Sequence, residues 1–156
     1  MRAKQTADII AEKIGKPIEQ SDLFVEWNQG AHRLGKNAND QALWEQSKAL
    51  VETFKESNHR SADEENFEDL NRRAGDAIAY LLERPEENIA VVSHGWFSPV
   101  LVGKAIIGDD FTGRDCEHFI KTLRMKNTGL TVLVYDTERW WGGWNLLTWN
   151  DHAHLG

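Results

Sequence analysis

The pattern of apolar positions is most distinctive at residues 89–92, an uninterrupted Ile-Ala-Val-Val run that leads into Ser93, His94 and Gly95. Such a run cannot alternate between a buried and an exposed face, so it predicts a strand covered on both sides, like the central strands of a parallel sheet. Ligands bind beyond the carboxyl ends of such strands, and Gly95 permits a tight turn there. His94 is therefore a candidate site residue, although a histidine that only packs in a strand-to-helix turn explains the pattern equally well.

Elsewhere the apolar positions predict helices and strands in alternation. Helices are predicted at about residues 2–14, 40–56 and 66–84, and a fourth begins with Ser98 as N-cap and Pro99 as first residue and ends near Ile107. Strands are predicted at about residues 17–25, 130–135 and 144–149, the last two as an antiparallel hairpin. Residues 109–128 are predicted to be loop, with one helical turn near residues 117–120. This alternation predicts a three-layer α/β domain.

Composition and charge narrow the classes of protein that the sequence fits. The 156 residues predict one domain, residues 1–156, with 40% hydrophobic and 28% charged residues. The net charge of −7 argues against nucleic-acid binding, which depends on clustered Lys and Arg. No apolar run is long enough for a membrane span and no signal peptide is recognisable, so we expect a cytoplasmic protein. The single cysteine, Cys116, excludes an internal disulfide.

Three residues at the ends of different predicted elements suggest an anion site: Arg2, Glu26 and His94. The planar guanidinium group of arginine matches phosphate oxygens, and His94 is predicted near a helix N-terminus, where anions are favoured. A carboxylic acid nearby is able to protonate a leaving alkoxide. Without further information, however, Arg2 is also interpretable as a solvated helix-end charge and Glu26 as an ordinary loop carboxylate.

Six segments contain further recognisable motifs, and their order along the chain is informative. They are residues 2–7 (RAKQTA), 23–26 (LFVE) followed by Gly30, 65–70 (ENFEDL) followed by Arg72, 91–95 (VVSHG), 127–133 (NTGLTVL) and 150–155 (NDHAHL). In this order they resemble the motifs of the histidine phosphatase superfamily, the phosphoglycerate mutase-like proteins. The resemblance implies a three-layer α/β/α fold with a mixed, mostly parallel sheet.

The resemblance also implies roles for individual residues. In that family a first histidine, within an Arg-His-Gly triplet, attacks phosphorus, while a second histidine and two arginines bind the phosphoryl oxygens and a glutamate transfers a proton to the leaving group. By this resemblance His94 and Glu26 are catalytic, as second histidine and proton donor, and Arg2, His94 and Gly95 bind phosphate. The implied ligand is a phosphorylated small molecule or phosphate ion, and neither a metal nor another cofactor is implied.

The sequence departs from the family pattern at one decisive place. No Arg-His-Gly triplet occurs in the 156 residues, so the phosphohistidine nucleophile is missing. We expect a chain that lacks the first two strands of the fold, either as a fragment or as a mis-started gene, and that is inactive alone. The complete form would be a phosphomonoester hydrolase or a phosphoglycerate mutase-like enzyme. The alternatives are a non-catalytic phosphate-binding remnant and a structural module that docks through the tryptophan-rich residues 140–149. A homodimer is compatible with each.

Three further groups of residues have both a chemical and a simpler interpretation. They are His152 and His154 beside Asp151 as metal ligands, Cys116 with Asp115 and His118 as nucleophile and base, and His32, Arg33 and Lys36 as contacts to the non-reacting end of a substrate. Zinc needs three or four ligands, so we expect the first group to be a tail packed on the sheet edge. We expect Cys116 to be a partly buried structural residue. The third group is equally interpretable as solvated loop charges.

Overall fold

The computed structural model describes residues 2–33, 36, 40–56, 58–60, 62–123, 125–138, 140 and 142–156. Its regular elements are five α-helices and two β-strands in the described ranges: α1 (Arg2–Ile14), α2 (Gln41–Glu52), α3 (Phe67–Leu82), α4 (Phe97–Ile107), α5 (Gly113–Thr122), β1 (Leu130–Asp136) and β2 (Gly143–Asp151). The helices predicted near residues 2–14, 40–56 and 66–84 are thereby confirmed.

The core lies between α3 and α4, which pack against each other. Asn66 caps α3 and forms a capping box with Asp69, so both ends of this first turn have hydrogen-bond partners. In the apolar stripe that follows, Leu70, Ala74 and Ala77 are each 0% exposed. Phe97 of α4 is also 0% exposed and belongs to the same cluster. The period of 3.6 residues in the sequence therefore identified the buried face of α3.

Helix α5 corrects the prediction of a loop over residues 109–128. Thr112 accepts a hydrogen bond from the backbone of Asp115, and the Asp115 carboxylate accepts one from the backbone of Thr112, which completes a capping box. Gly113 starts the helix against Phe54, because a Cβ added there would lie 1.8 Å from the Phe54 carbonyl oxygen. Cys116 is 0% exposed inside this packing, which confirms its structural interpretation and shows complete rather than partial burial.

The predicted hairpin is confirmed. Strands β1 and β2 pair antiparallel, with Val132 opposite Thr148 and Tyr135 opposite Trp144. The rings of Tyr135 and Trp144 lie 5.2 Å apart between centroids, a distance typical of a favourable aromatic cross-strand pair. Among the residues described, this two-stranded sheet is the only one.

The strands predicted at residues 17–25 and 89–92 are not formed. Residues 22–24 are a 3₁₀ helix capped by Ser21, and residues 89–92 have no regular secondary structure and no backbone hydrogen bond in the described part of the chain. Ile89 is 43% and Val91 39% exposed rather than covered on both faces. The physical reason is that a strand takes its hydrogen bonds from a neighbouring strand, and the described ranges provide none beside these segments. The fold is a mixture of helices and a small antiparallel sheet, consistent with the α/β class, while the three-layer, mostly parallel arrangement is not formed by these residues.

Helix α4 begins two residues before the predicted position, at Phe97 rather than Pro99. Ser98 is not the N-cap, since its hydroxyl donates to the His94 carbonyl oxygen at 2.7 Å. Pro99 remains compatible with this start because the first N–H groups of a helix have no partner within it. No helix in the ranges described combines the length and apolar character that a membrane crossing requires.

Candidate functional site

The first turn of α4 is capped by the side chain of Glu26, which comes from the loop after residues 22–24. One carboxylate oxygen accepts a hydrogen bond from the Phe97 N–H at 3.1 Å, and the other lies 3.4 Å from the Trp96 nitrogen. The backbone N–H of Trp27 donates to the same carboxylate at 2.9 Å. Trp96 itself provides no side-chain cap. Glu26 therefore supplies the negative charge and the acceptors that a helix N-terminus favours.

His94 lies at the same end of α4. Its carbonyl oxygen accepts from the backbone N–H of Ser98 at 3.0 Å and from the Ser98 hydroxyl at 2.7 Å. The preceding Ser93 donates to the carbonyl oxygen of Phe24 at 2.8 Å, two residues before Glu26. His94 is half-buried and Gly95 is exposed in the turn that leads into the helix. The structure thus brings two of the predicted site residues, Glu26 and His94, to one helix N-terminus.

Arg73 of α3 fixes the backbone on the N-terminal side of Glu26. Its guanidinium forms a bidentate ion pair with Glu65, with both N–O distances 2.8 Å. A third nitrogen donates to the carbonyl oxygens of Leu23 at 3.2 Å and Val25 at 2.8 Å. A guanidinium carries five N–H donors in one plane, so a single arginine makes all four of these bonds. A lysine ammonium has only three donors and cannot replace it. Arg73 consequently fixes the segment from which Glu26 projects.

Glu65 fixes the other side of the same loop. Its carboxylate accepts from the Asn28 backbone at 2.8 Å, its carbonyl accepts from the Trp27 indole at 2.8 Å, and its own N–H donates to the Asn28 carbonyl at 2.8 Å. The Arg73 guanidinium also lies 4.0 Å from the centroid of the Phe97 ring, within the range of a cation–π contact. Arg73 and Glu65 together connect α3, the Glu26 loop and the start of α4.

Arg73 is not among the residues predicted from the sequence, yet a signal for it is present there. Arg73 lies three residues after Leu70 and four before Ala77, both of which are 0% exposed. A charged residue on the buried stripe of a helix needs a partner, because an unpaired buried charge is strongly unfavourable. That criterion separates Arg73, with 13% side-chain exposure, from its neighbour Arg72, with 70%.

Arg2 lies on α1, is exposed, and belongs to a helix without a buried residue. No hydrogen bond or ion pair within the described ranges connects Arg2 to Glu26 or His94. Its role in phosphate binding stays a prediction from the resemblance.

The loop cation Arg33 contacts α2 instead of facing open solvent. It donates to the Leu43 carbonyl and to the Ser47 hydroxyl, both at 2.7 Å, and Ser47 in turn donates to Gln29 at 2.7 Å. Burial lowers the pKa of the Arg33 guanidinium. Lys36 is exposed, and the side chain of His32 lies outside the described residues. These contacts show that Arg33 anchors the loop to α2, and substrate contact by the three residues stays a prediction.

The remaining candidate groups have structural contacts. His152 Nδ1 lies 2.9 Å from the Asn150 carbonyl oxygen, and His154 Nε2 lies 3.3 Å from the Thr128 hydroxyl. In the part of the chain that is described, no cluster of three or more His, Cys, Asp or Glu side chains is arranged to hold a metal ion. Burial raises the pKa of the Cys116 thiol, which disfavours the thiolate that a nucleophile requires.

Comparison with known proteins supports one family. Neither the comparison with curated proteins nor that with solved structures gives a significant match. A family model described as histidine phosphatase superfamily (branch 1) matches residues 1–152, which is nearly the whole sequence. This match includes both Glu26 and His94 as well as the helices that position them. The chain therefore belongs to the histidine phosphatase superfamily.

Proposed function

We propose that the N-terminus of α4, with Glu26 and His94 beside it, binds the phosphoryl group of a small phosphate ester. The observation that supports this most directly is that the backbone N–H groups of Trp96 and Phe97 already bind a carboxylate next to His94. Phosphate oxygens accept the same hydrogen bonds and are favoured by the same helix dipole. Family membership adds the expectation that Arg2 and Gly95 contribute to the same site.

In the proposed mode, Glu26 and the phosphoryl group compete for the two N–H groups at the start of α4. An arriving phosphate replaces the carboxylate there, and the Glu26 side chain moves toward the ester oxygen. An imidazole N–H of His94 donates a hydrogen bond to a negatively charged non-bridging oxygen. Where a histidine nucleophile is present, protonated Glu26 would give its proton to the ester oxygen as the P–O bond breaks, and the nucleophile would accept the phosphoryl group.

We propose binding without turnover for this chain. A phosphohistidine route needs a nucleophile in line with the leaving group, and no Arg-His-Gly triplet occurs in the sequence. A chain of this family that also carried the triplet would be a phosphomonoester hydrolase or a phosphoglycerate mutase-like enzyme. In this chain the same groups act as a phosphate receptor.

A thermal-unfolding series with inorganic phosphate tests this proposal. A ligand that binds only the folded state raises Tm, by an amount equivalent to about 2.7 kcal/mol at a hundred times Kd. We expect His94→Gln to weaken phosphate binding by about ten-fold, since a hydrogen bond to a charged group is lost. His118→Gln, an exposed histidine change on α5, is the matched control and should leave Tm shifts unchanged.

Two results would contradict the proposal. Absence of any phosphate-dependent Tm shift would reject the binding site. Hydrolysis of p-nitrophenyl phosphate by the purified chain, lost in His94→Gln, would reject the part that excludes turnover.

The proposal includes the three-layer α/β/α architecture that the family resemblance implies. Residues 89–92 expose Ile89 and Val91, which a neighbouring strand and a covering helix would bury. In that arrangement residues 89–92 pair as a strand of a mostly parallel sheet and carry His94 at its carboxyl end. Amide hydrogen exchange at residues 90–92 tests it: slow exchange requires strand pairing, and fast exchange indicates an unpaired segment.

A further inference from the structure

Two tryptophan rings, those of Trp96 and Trp44, pack against each other beside the proposed phosphate site. Trp96 supplies one of the N–H groups at the start of α4, and its ring packs against the ring of Trp27 with centroids 5.8 Å apart. The ring of Trp44 packs against the ring of Trp96, with their centroids 5.1 Å apart and their planes at 82°. Both contacts are edge-to-face arrangements, the favoured geometry for aromatic pairs. The orientation of Trp96 is therefore fixed by two neighbours.

Trp44 is only partly covered by this packing. On α2, Leu43, Ser47 and Val51 are 4% exposed or less, whereas Trp44 is 51% exposed. A large aromatic side chain that is held on one side and exposed on the other offers a ring surface for a further contact. Trp44 contacts the ring of Trp96, the residue whose backbone N–H belongs to the phosphate site, so a single side chain connects Trp44 to that site.

We propose that Trp44 and Trp96 form a subsite for the aromatic group of an aryl phosphate monoester. The inference rests on the proposed phosphate site and adds the substrate class. An aryl phosphate has only the ester oxygen between phosphorus and the ring carbon, so its ring must lie close to the bound phosphoryl group. The indole of Trp96 is attached to the same residue that donates to that group, and the indole of Trp44 adds a second ring beside it.

A comparison of three ligands on the full 156-residue chain tests the subsite by calorimetry: inorganic phosphate, ethyl phosphate and phenyl phosphate. We expect phenyl phosphate to bind about five-fold more tightly than ethyl phosphate, the size of effect that one aromatic pair adds. In Trp44→Leu this ratio should fall to about one. Trp44→Phe retains a ring and should keep most of the preference for phenyl phosphate. This variant therefore separates loss of the aromatic ring from a folding defect caused by changing Trp44.

Trp140→Leu is the matched control, because Trp140 is 91% exposed in the hairpin connection and should not alter the ratio. Equal affinity for phenyl and ethyl phosphate in the wild-type chain, or an unchanged ratio in Trp44→Leu, overturns the subsite while phosphate binding stands. Failure of inorganic phosphate to bind overturns the proposed function and the subsite together. The two failures are therefore distinguishable in one experiment.

Discussion

Two regions of this chain contain similar apolar residues and bury them to very different extents. In the helical core, formed by α2 to α5 with the 3₁₀ helix Thr53–Glu56, Leu70 is 0% and Phe54 2% exposed. In the exposed region, formed by α1 and residues 17–21 and 89–92, Ile9 is 69% and Ile14 57% exposed. Helix α1 contains no buried residue at all. An apolar pattern is therefore not sufficient for burial.

The difference between the two regions lies in their partners. The apolar face of α3 packs against α4, and α5 packs against the 3₁₀ helix Thr53–Glu56. The apolar surfaces of these helices therefore shield one another from water. The apolar positions of α1 have a helical period but keep their solvent exposure. Formation of a helix and its contribution to stability are thus separate questions in this protein.

A pair of truncations, Leu70→Ala and Ile9→Ala, tests the contrast between the helical core and the exposed region. It has the largest expected effect on the free energy of unfolding. Leu70 is fully buried, so its truncation leaves a cavity and should reduce the free energy of unfolding by about 2–5 kcal/mol. Ile9 is mostly exposed, and its truncation should change that free energy by less than about 0.5 kcal/mol. Urea unfolding followed by circular dichroism measures both. Equal losses would show that α1 is packed in solution.

Which elements could be predicted depends on where their hydrogen bonds come from. A helix satisfies its own backbone groups, so the amphipathic stripe of α3 was enough to predict it. The hairpin was predictable because its two strands are close in sequence and pair with each other. Residues 89–92 have the composition of a buried strand but depend on neighbours distant in sequence, which no local pattern reveals. Helix α5 was missed although Thr112 and Asp115 have the spacing of a capping box.

The candidate site was predictable in part for the same reason. Glu26 and His94 were identified by motif resemblance, and their meeting at α4 follows from the demand of a helix N-terminus for acceptors. Arg73 was not identified, because its partners are two carbonyl groups and a glutamate that only the folded loop brings together. The pairing of Trp44 with Trp96 is likewise a tertiary contact without a sequence period.

The second largest effect on stability is expected from loss of the Arg73–Glu65 ion pair, which joins the core to the Glu26 loop. Arg73→Ala removes a bidentate pair and two hydrogen bonds to carbonyl groups at a mostly buried position, and should cost about 2–3 kcal/mol of unfolding free energy. It should also weaken phosphate binding, since the ion pair with Glu65 and the contact with the Phe97 ring that hold the start of α4 in place are both lost. Arg72→Ala, at an exposed arginine on the same helix, is the matched control, with an expected cost below about 1 kcal/mol and no change in binding.

Urea unfolding and phosphate titration of the two variants separate a local role from a global one. Loss of stability in Arg73→Ala with unchanged phosphate affinity would show that the loop keeps its position without the ion pair. Arg73→Lys, which retains the charge but not the planar donors, should resemble Arg73→Ala in binding if the geometry is what matters.

The smallest expected effect is the pH dependence of the α5 capping box, at the edge of the core. Hydrogen bonds from the Thr112 hydroxyl and backbone lower the pKa of Asp115. Because the folded-state pKa lies below the unfolded value of about 3.9, this stabilisation is present above that pH and is lost as the pH falls through the folded-state pKa.

Asp115→Asn should therefore cost about 0.3–1 kcal/mol at pH 7, the usual contribution of an acidic residue in the first turn of a helix. The cost should shrink toward zero below about pH 4. Thermal unfolding of wild type and variant at both pH values measures this difference, and Asp76→Asn, an exposed change on α3, controls for removal of one negative charge. A cost that is the same at both pH values would show that the Asp115 side chain acts through its shape and not through its charge.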